Sequence, residues 1–182
     1  SAASDVYKRQ ASGDPHVTNY DGELFHIQEP GIYTVARSPD GLFELQEKMK
    51  KNGANKPGVP SCLNGAVIHY KKINIEVNPN NFGEIKVNGK NMELPEDFTL
   101  TFGGVKVRYG KQLFEYKNHK SQPRALKIST PNGFHVMVAG GYCGVLETNV
   151  PTEYFGKMQG ICGTASGIKS NADYFDTKGK IM

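Results

Sequence analysis

The sequence contains no run of about 18 apolar residues, the length that a membrane-spanning helix requires. It also lacks a long charged low-complexity tract, which argues against a disordered chain. Its 22 lysines and arginines exceed its 18 aspartates and glutamates by four, which gives a net charge of +4. No compact basic stripe interleaved with aromatic residues occurs, so we expect no nucleic-acid partner. The 182 residues, of which 37% are hydrophobic, are enough to bury the core of one folded domain.

Sequence signatures of enzymes are absent as well. There is no Gly-x-Ser-x-Gly nucleophile elbow, no phosphate-binding loop and no dinucleotide fingerprint. None of the five histidines lies at zinc-like spacing from another histidine, a cysteine or a carboxylate. The sequence therefore predicts no catalytic set, and we expect that the protein is not an enzyme.

Helical periodicity is scarce, and a period of two takes its place. Apolar and polar residues alternate over residues 73–77, 98–102, 105–109 and 134–138. Such rows are typical of antiparallel strands that turn one face to a core and the other to water. Tight-turn sequences separate the rows and favour hairpins; they cover residues 38–41, 78–81, 88–89, 103–104 and 130–133.

These patterns predict an all-β fold, a two-sheet antiparallel β-sandwich. A short helical turn is expected within residues 151–159, because Pro151 suits the first position of a helix. This turn would precede the Cys-Gly sequence near the C-terminus. Residues 1–12 do not share the pattern of the rest, so we expect a non-native or linker leader there. The domain itself is predicted to cover residues 13–182, as a piece of a longer protein.

Two sets of short motifs bracket the strand-rich region. The front motifs are Gly13-Asp14-Pro15-His16 and Tyr20-Asp21-Gly22. The back motifs are Tyr154-Phe155-Gly156-Lys157, Gly160-Ile161-Cys162-Gly163, Ser166-Gly167 and Asn171-Ala172-Asp173-Tyr174-Phe175. Together, over residues 13–179, they closely resemble the von Willebrand factor type D domain family, which occurs in gel-forming mucins, zonadhesin-like proteins and vitellogenins.

The resemblance implies an extracellular structural and interaction module of a larger secreted protein. A mucin-like, adhesive or matrix parent is expected, in which the module acts in assembly and cell adhesion. The expected partners are other domains of the same parent chain or other extracellular proteins, with a disulfide-linked oligomer formed through the parent. One alternative is the type D portion of a vitellogenin-like lipid-transport protein. Another is the type D portion of a luciferase.

The resemblance also draws attention to Asp14-Pro15. In some gel-forming mucins this motif cleaves itself at mildly acidic pH. The β-carboxyl of Asp14 would attack its own backbone carbonyl and expel the nitrogen of Pro15. His16 would donate the proton, since its ordinary pKa of about 6.5 spans that pH range. The alternative is that the segment only shapes the start of the first strand, where Pro15 holds Asp14 extended.

A calcium site is a second implication of the resemblance. The family binds the ion between the front motif and the loop after Cys-Gly, so these segments should meet in space. The matching positions here are Asp21, Thr164, Ser166, Asn171 and Asp173. Oxygen-rich turns of this kind suit Ca²⁺, which takes about six to eight hard oxygen ligands. The alternative is an ordinary polar turn held by side-chain-to-backbone hydrogen bonds.

The chain has three cysteines, Cys62, Cys143 and Cys162. An odd number in a secreted protein leaves a free thiol, a bond to another chain or a missing partner. The family places a partner for the cysteine matching Cys162 just ahead of the Gly-Asp-Pro-His motif, and this chain has none there. The resemblance then makes Cys62 and Cys143 the candidate pair, and their bridge would contribute about 4 kcal/mol on the chain-entropy model. Three buried thiols are the alternative.

Overall fold

The computed structural model describes residues 8–12, 16–18, 20, 24–26, 30–51, 61–78, 81, 83–111, 124–139 and 145–166. Within these residues the chain forms fourteen strands and one short 3₁₀ helix. The strands are β1 (Lys8–Ser12), β2 (His16–Thr18), β3 (Leu24–His26), β4 (Gly31–Arg37), β5 (Phe43–Lys51), β6 (Ser61–Tyr70), β7 (Ile73–Val77), β8 (Glu84–Val87), β9 (Lys90–Glu93), β10 (Thr99–Phe102), β11 (Val105–Gly110), β12 (Ala125–Ser129), β13 (His135–Ala139) and β14 (Val145–Asn149).

The strands form two antiparallel sheets. The eight-stranded sheet has the order β10-β11-β12-β13-β14-β1-β2-β3, and the six-stranded sheet has the order β4-β5-β6-β7-β8-β9. Buried side chains from both sheets make one continuous core cluster. Within that core Phe43 of β5 stacks on Phe134 beside β13, with ring centroids 3.9 Å apart. The prediction of an all-β, two-sheet sandwich is confirmed.

The alternation in the sequence identifies most of the core correctly. Ile75 and Val77, and likewise Val105 and Val107, are buried, whereas the residues between them face solvent. Phe98 is the exception, because 67% of its surface is exposed. It lies just before β10 and after Asp97, whose left-handed backbone (φ 65°) turns the chain out of the row. The prediction that Phe98 continues the apolar face of this strand is wrong.

Local turn chemistry sets the hairpins where the sequence predicts them. Asn88 and Gly89 join β8 to β9 with φ values of 49° and 81°. Both residue types adopt this left-handed conformation readily, as a two-residue hairpin requires. The predicted helical turn is also present, because Thr152–Tyr154 form a 3₁₀ helix directly after Pro151. In the part of the chain that the structure describes, no helix is long and apolar enough to cross a membrane.

The first strand lies inside the predicted leader. Residues 8–12 form β1, which pairs with β14 on one side and with β2 on the other. Among the residues that the structure describes, strand pairing is present from Lys8 onward, ahead of the predicted domain start at Gly13. This arrangement places residues 8–12 inside the eight-stranded sheet, beside β14, the strand that leads to the C-terminal motifs.

Candidate functional site

The Cys-Gly segment, which we define as residues 159–163, docks on β4, an edge strand of the six-stranded sheet. Gln159 and Arg37 exchange two backbone hydrogen bonds, at 3.0 and 2.8 Å. Further along, the N–H of Ile161 donates to the carbonyl of Thr34 and that of Cys162 to Val35, at 3.0 and 3.1 Å. The segment therefore covers backbone groups of β4 that would otherwise form an open sheet edge.

Gly160 explains why the motif needs a glycine at this point. A Cβ atom there would lie 2.7 Å from the carbonyl oxygen of Val35 and 2.9 Å from that of Thr34. Its φ of 112° is also a conformation that residues with side chains rarely adopt. The backbone of the segment can approach β4 this closely only because Gly160 has no side chain.

Cys162 lies at the centre of this contact. It is fully buried and carries a thiol, which donates a hydrogen bond to the carbonyl oxygen of Val35. The carbonyl of Cys162 accepts a hydrogen bond of 2.9 Å from the N–H of Tyr20. Tyr20 belongs to the front motif and is itself buried. The expected meeting of the front and back motifs is thus present at Tyr20.

The loop after Cys162 folds back on the residues before it. The carbonyls of Thr164 and Ala165 accept hydrogen bonds from Met158 and Gly156, at 3.2 and 3.0 Å. Ala165 is buried and has a left-handed backbone, with φ 61°. The loop is thereby fixed against the segment that follows the 3₁₀ helix, next to the front motif.

Two of the five predicted calcium ligands lie in this loop. Thr164 is half-buried and Ser166 is exposed. Both offer neutral oxygens, and the described residues contain no group of three or more His, Cys, Asp or Glu that could hold a metal ion. The carboxylates of the predicted site belong to Asp21 and Asp173, which lie outside the described residues together with Asn171. The described loop fits a calcium site only in part, as a source of hydroxyl and carbonyl oxygens.

The remaining predicted positions are the Asp14-Pro15-His16 motif and the cysteine pair. Asp14 and Pro15 lie outside the described residues, and self-cleavage stays a prediction. His16 begins β2, where its backbone is opposite Ser12 on one side and His26 on the other. Cys62 is half-buried on β6. Its predicted partner, Cys143, lies outside the described residues, so the pairing stays a prediction too.

A cluster around Asp40 was not predicted. The hydroxyl of Tyr154, on the 3₁₀ helix, donates to the Asp40 carboxylate at 2.6 Å, and the hydroxyl of Ser38 donates to its other oxygen at 2.6 Å. The side-chain amide of Asn132, from the β12–β13 turn, reaches the Tyr154 hydroxyl at 3.4 Å. The cluster links the β4–β5 turn, the β12–β13 turn and the 3₁₀ helix, and so anchors the segment that leads into the Cys-Gly loop.

The hydrogen bonds of this cluster shift two pKa values. Burial raises the pKa of Asp40, but the hydrogen bonds from Ser38, Tyr154 and the Leu42 N–H together lower it below its ordinary value of 3.8. The hydrogen bond to Asp40, followed by burial, raises the pKa of Tyr154. Asp40 and Tyr154 are 114 residues apart in the chain. The only sequence signals were the Ser-Pro-Asp-Gly turn and the tyrosine of the back motif, and neither pointed to the other.

Comparison with known proteins gives one family and several relatives. The family model described as von Willebrand factor type D domain matches residues 10–180. Human zonadhesin is 25% identical over 158 residues, which cover 84% of this chain and 5% of zonadhesin. Mouse alpha-tectorin is 27% identical over 163 residues, 83% of this chain and 6% of its own length. Human IgGFc-binding protein is 24% identical over 169 residues, 90% of this chain and 3% of its own length.

Proposed function

Because the chain belongs to the von Willebrand factor type D domain family, we propose that it is an extracellular structural and interaction module of a larger secreted protein. A mucin-like or adhesive parent fits best, in which the module contacts other domains of the same chain or other extracellular proteins. The observation that carries the proposal is the family match over residues 10–180. The chain spans only 3% to 6% of the relatives' lengths, which supports the role of one module among many.

The contacts of the two end motifs support a structural role for these motifs within the domain. Tyr20, Gly160 and Cys162 of the end motifs contact one another or the backbone of β4, and so join the front motif, the back motif and the six-stranded sheet. None of the three relatives carries the name of an enzyme. They do not favour the vitellogenin-like or luciferase alternatives either.

An antibody raised against the folded domain tests the proposal. We expect it to detect antigen in the extracellular fraction, in a polypeptide much larger than the 20.0 kDa of this chain. Non-reducing and reducing gels would show whether the parent forms disulfide-linked oligomers. Antigen found only inside cells, or only at the size of this chain, would contradict an extracellular multidomain parent.

A calcium ion bound by Asp21, Thr164, Ser166, Asn171 and Asp173 is part of the proposal. Its support is the hydrogen bond from Tyr20, the neighbour of Asp21, to Cys162, which brings the front motif to the loop with Thr164 and Ser166. When bound, the ion would join the front motif to this loop. We expect millimolar CaCl₂ to raise the melting temperature of the wild type, and EDTA to reverse the rise. Asp21→Asn should abolish the shift, and an unchanged shift in this variant would exclude the proposed ligand set.

We further propose that Cys62 and Cys143 form a disulfide that holds the domain together. Its support is that Cys62 is disulfide-bonded, whereas Cys162 carries a buried thiol and the chain has three cysteines. Thiol counting with a maleimide tests it. We expect slow labelling of the native protein, one label per chain in urea, and three after reduction. Three labels in urea without a reductant would contradict the pairing.

A further inference from the structure

A polar groove lies on the six-stranded sheet, on the side of β6–β9. The Cys-Gly segment docks at the other edge, on β4. The groove has a volume of about 380 Å³, within the roughly 300–1,000 Å³ of small-molecule sites. Four asparagines line it, and we name it the asparagine groove: Asn64 of β6, Asn78 and Asn81 between β7 and β8, and Asn91 of β9.

Two of the asparagines belong to strands, Asn64 to β6 and Asn91 to β9. Asparagine is depleted in strands, partly because its side-chain amide competes with the backbone for hydrogen bonds. Asn91 nevertheless pairs with Lys86 within β9, and Asn64 lies at the bulge of β6, where the register with β5 shifts. Both residues line the same groove. Among the residues that the structure describes, neither side-chain amide takes part in a hydrogen bond. A residue type that is unfavourable for its secondary structure, and that forms no hydrogen bond in the folded protein, is a candidate for binding a ligand.

The charges of the groove narrow the class of ligand. Glu76 lies directly opposite Lys86 in the β7–β8 register, and Lys86 lies opposite Asn91. Glu84 accepts a hydrogen bond of 3.4 Å from Asn81. The lining therefore carries two carboxylates and one ammonium group, a balance that disfavours an anionic ligand. A calcium ion fits poorly too, because Lys86 repels it and Ca²⁺ needs about six to eight oxygens at roughly 2.3–2.6 Å.

We propose that the asparagine groove binds a neutral oligosaccharide. An asparagine side chain offers one carbonyl acceptor and two N–H donors. A sugar hydroxyl both donates and accepts, so it pairs with such amides without any net charge. Lys86 adds donors, and Glu76 and Glu84 add acceptors, at the same surface. The described lining includes no aromatic ring on which a sugar could stack, so we expect millimolar affinity with selectivity for the arrangement of hydroxyls.

Nuclear magnetic resonance of the ¹⁵N-labelled domain tests the proposal, because asparagine side-chain NH₂ groups give their own signals. The probes are lactose, N-acetyllactosamine and chitobiose, compared with sialyllactose and with CaCl₂ alone. We expect saturable shifts of the NH₂ signals of Asn64, Asn81 and Asn91 with at least one neutral probe. The NH₂ signal of Asn88 is the internal reference, since this side chain lies in the β8–β9 turn and accepts the Asn74 N–H at 2.8 Å.

Two variants of the groove and one control variant separate the loss of binding from a loss of folding. Asn91→Ala removes one amide and should weaken binding about fivefold, the loss of one neutral hydrogen bond. Glu76→Gln, which changes charge with little change of shape, should weaken binding as well. Thr101→Ala, at an exposed position of β10 in the other sheet, should leave binding unchanged. Backbone signals away from the substituted strand should not move, which shows that each variant is folded.

Four results would overturn the proposal. They are the absence of shifts with all three neutral sugars, shifts confined to signals outside the groove, stronger binding of sialyllactose than of lactose, and equal affinity of the wild type and Asn91→Ala. A response of the same signals to CaCl₂ but not to sugars would assign the groove to a cation. None of these results depends on the parent protein, so they leave the proposed module function untouched.

Discussion

Replacing Gly160 with alanine should detach or strain the contact between the Cys-Gly segment and β4. The new Cβ atom would lie 2.7 Å from the carbonyl oxygen of Val35 and 2.9 Å from that of Thr34. Both atoms belong to the backbone of β4, which pairs with β5 at Thr34 and Ala36, on either side of a bulge at Val35. Neither can move aside as a flexible side chain would.

The expected loss of stability has two parts. A left-handed backbone costs an alanine about 1–2 kcal/mol. The steric overlap with β4 adds about 1–3 kcal/mol, as for other overpacked positions. We therefore expect Gly160→Ala to lower the free energy of unfolding by about 2–5 kcal/mol, a large fraction of the roughly 5–15 kcal/mol that holds a domain folded.

Gly156→Ala is the matched control. Gly156 also has a left-handed backbone, with φ 76°, but a Cβ there would meet nothing within 4 Å. The free energy of unfolding of Gly156→Ala should therefore fall only by the cost of the left-handed backbone, about 1–2 kcal/mol. Urea denaturation of both variants and the wild type measures the difference, and maleimide labelling of Cys162 reports whether the segment has detached. Equal losses in both variants, with Cys162 protected in each, would refute the close approach of Gly160 to β4.

Other substitutions probe the rest of the structure. Tyr154→Phe removes the hydrogen bond to Asp40 and should cost about 0.5–1.5 kcal/mol at neutral pH. The pKa of Asp40 is lowered on folding, so the effect should fade below pH 3.8, and urea curves with an equal loss in acid would contradict this. Burial and then Lys127 lower the pKa of His135 below 6.5. The unfolded state therefore binds the proton first, and the wild type should lose stability as pH falls through 6.5, whereas His135→Gln should show a smaller slope in urea midpoints. Phe134→Ala should cost about 3–5 kcal/mol in urea denaturation, against almost nothing for the exposed Phe98→Ala, and similar losses would contradict the core assignment.

The sequence predicts the strands and hairpins because their causes are local. A strand can be recognised from apolar residues at every second position, as in residues 73–77 and 105–109. This pattern involves only residues that are close together in the chain. The turn at Asn88-Gly89 follows from two residue types that accept positive φ. Phe98 shows where this reasoning fails: the pattern cannot reveal that the strand begins one residue later, behind the left-handed Asp97.

The candidate site was predictable in outline only. The paired motifs predicted that the front segment meets the Cys-Gly loop, and the hydrogen bond from Tyr20 to Cys162 is that contact. The link between Asp40 and Tyr154 could not be predicted, because residues 114 positions apart come together only through the packing of three turns. The asparagine groove could not be predicted from the sequence either. Its residues follow no motif, and they lie close together only because strands β6 to β9 pair in the sheet.

The sequence by itself determined that this protein is a strand-rich sandwich with glycine and proline turns, since hydrophobic alternation and backbone preference act between near neighbours. Only the tertiary structure decided that β1 lies between β14 and β2 and that Gly160 contacts the backbone of β4. It also decided that Asp40 accepts a hydrogen bond from Tyr154. Those contacts depend on which sheet faces cover each other. The packing of the two sheet faces depends on how much apolar surface the whole core buries, and no single segment determines it.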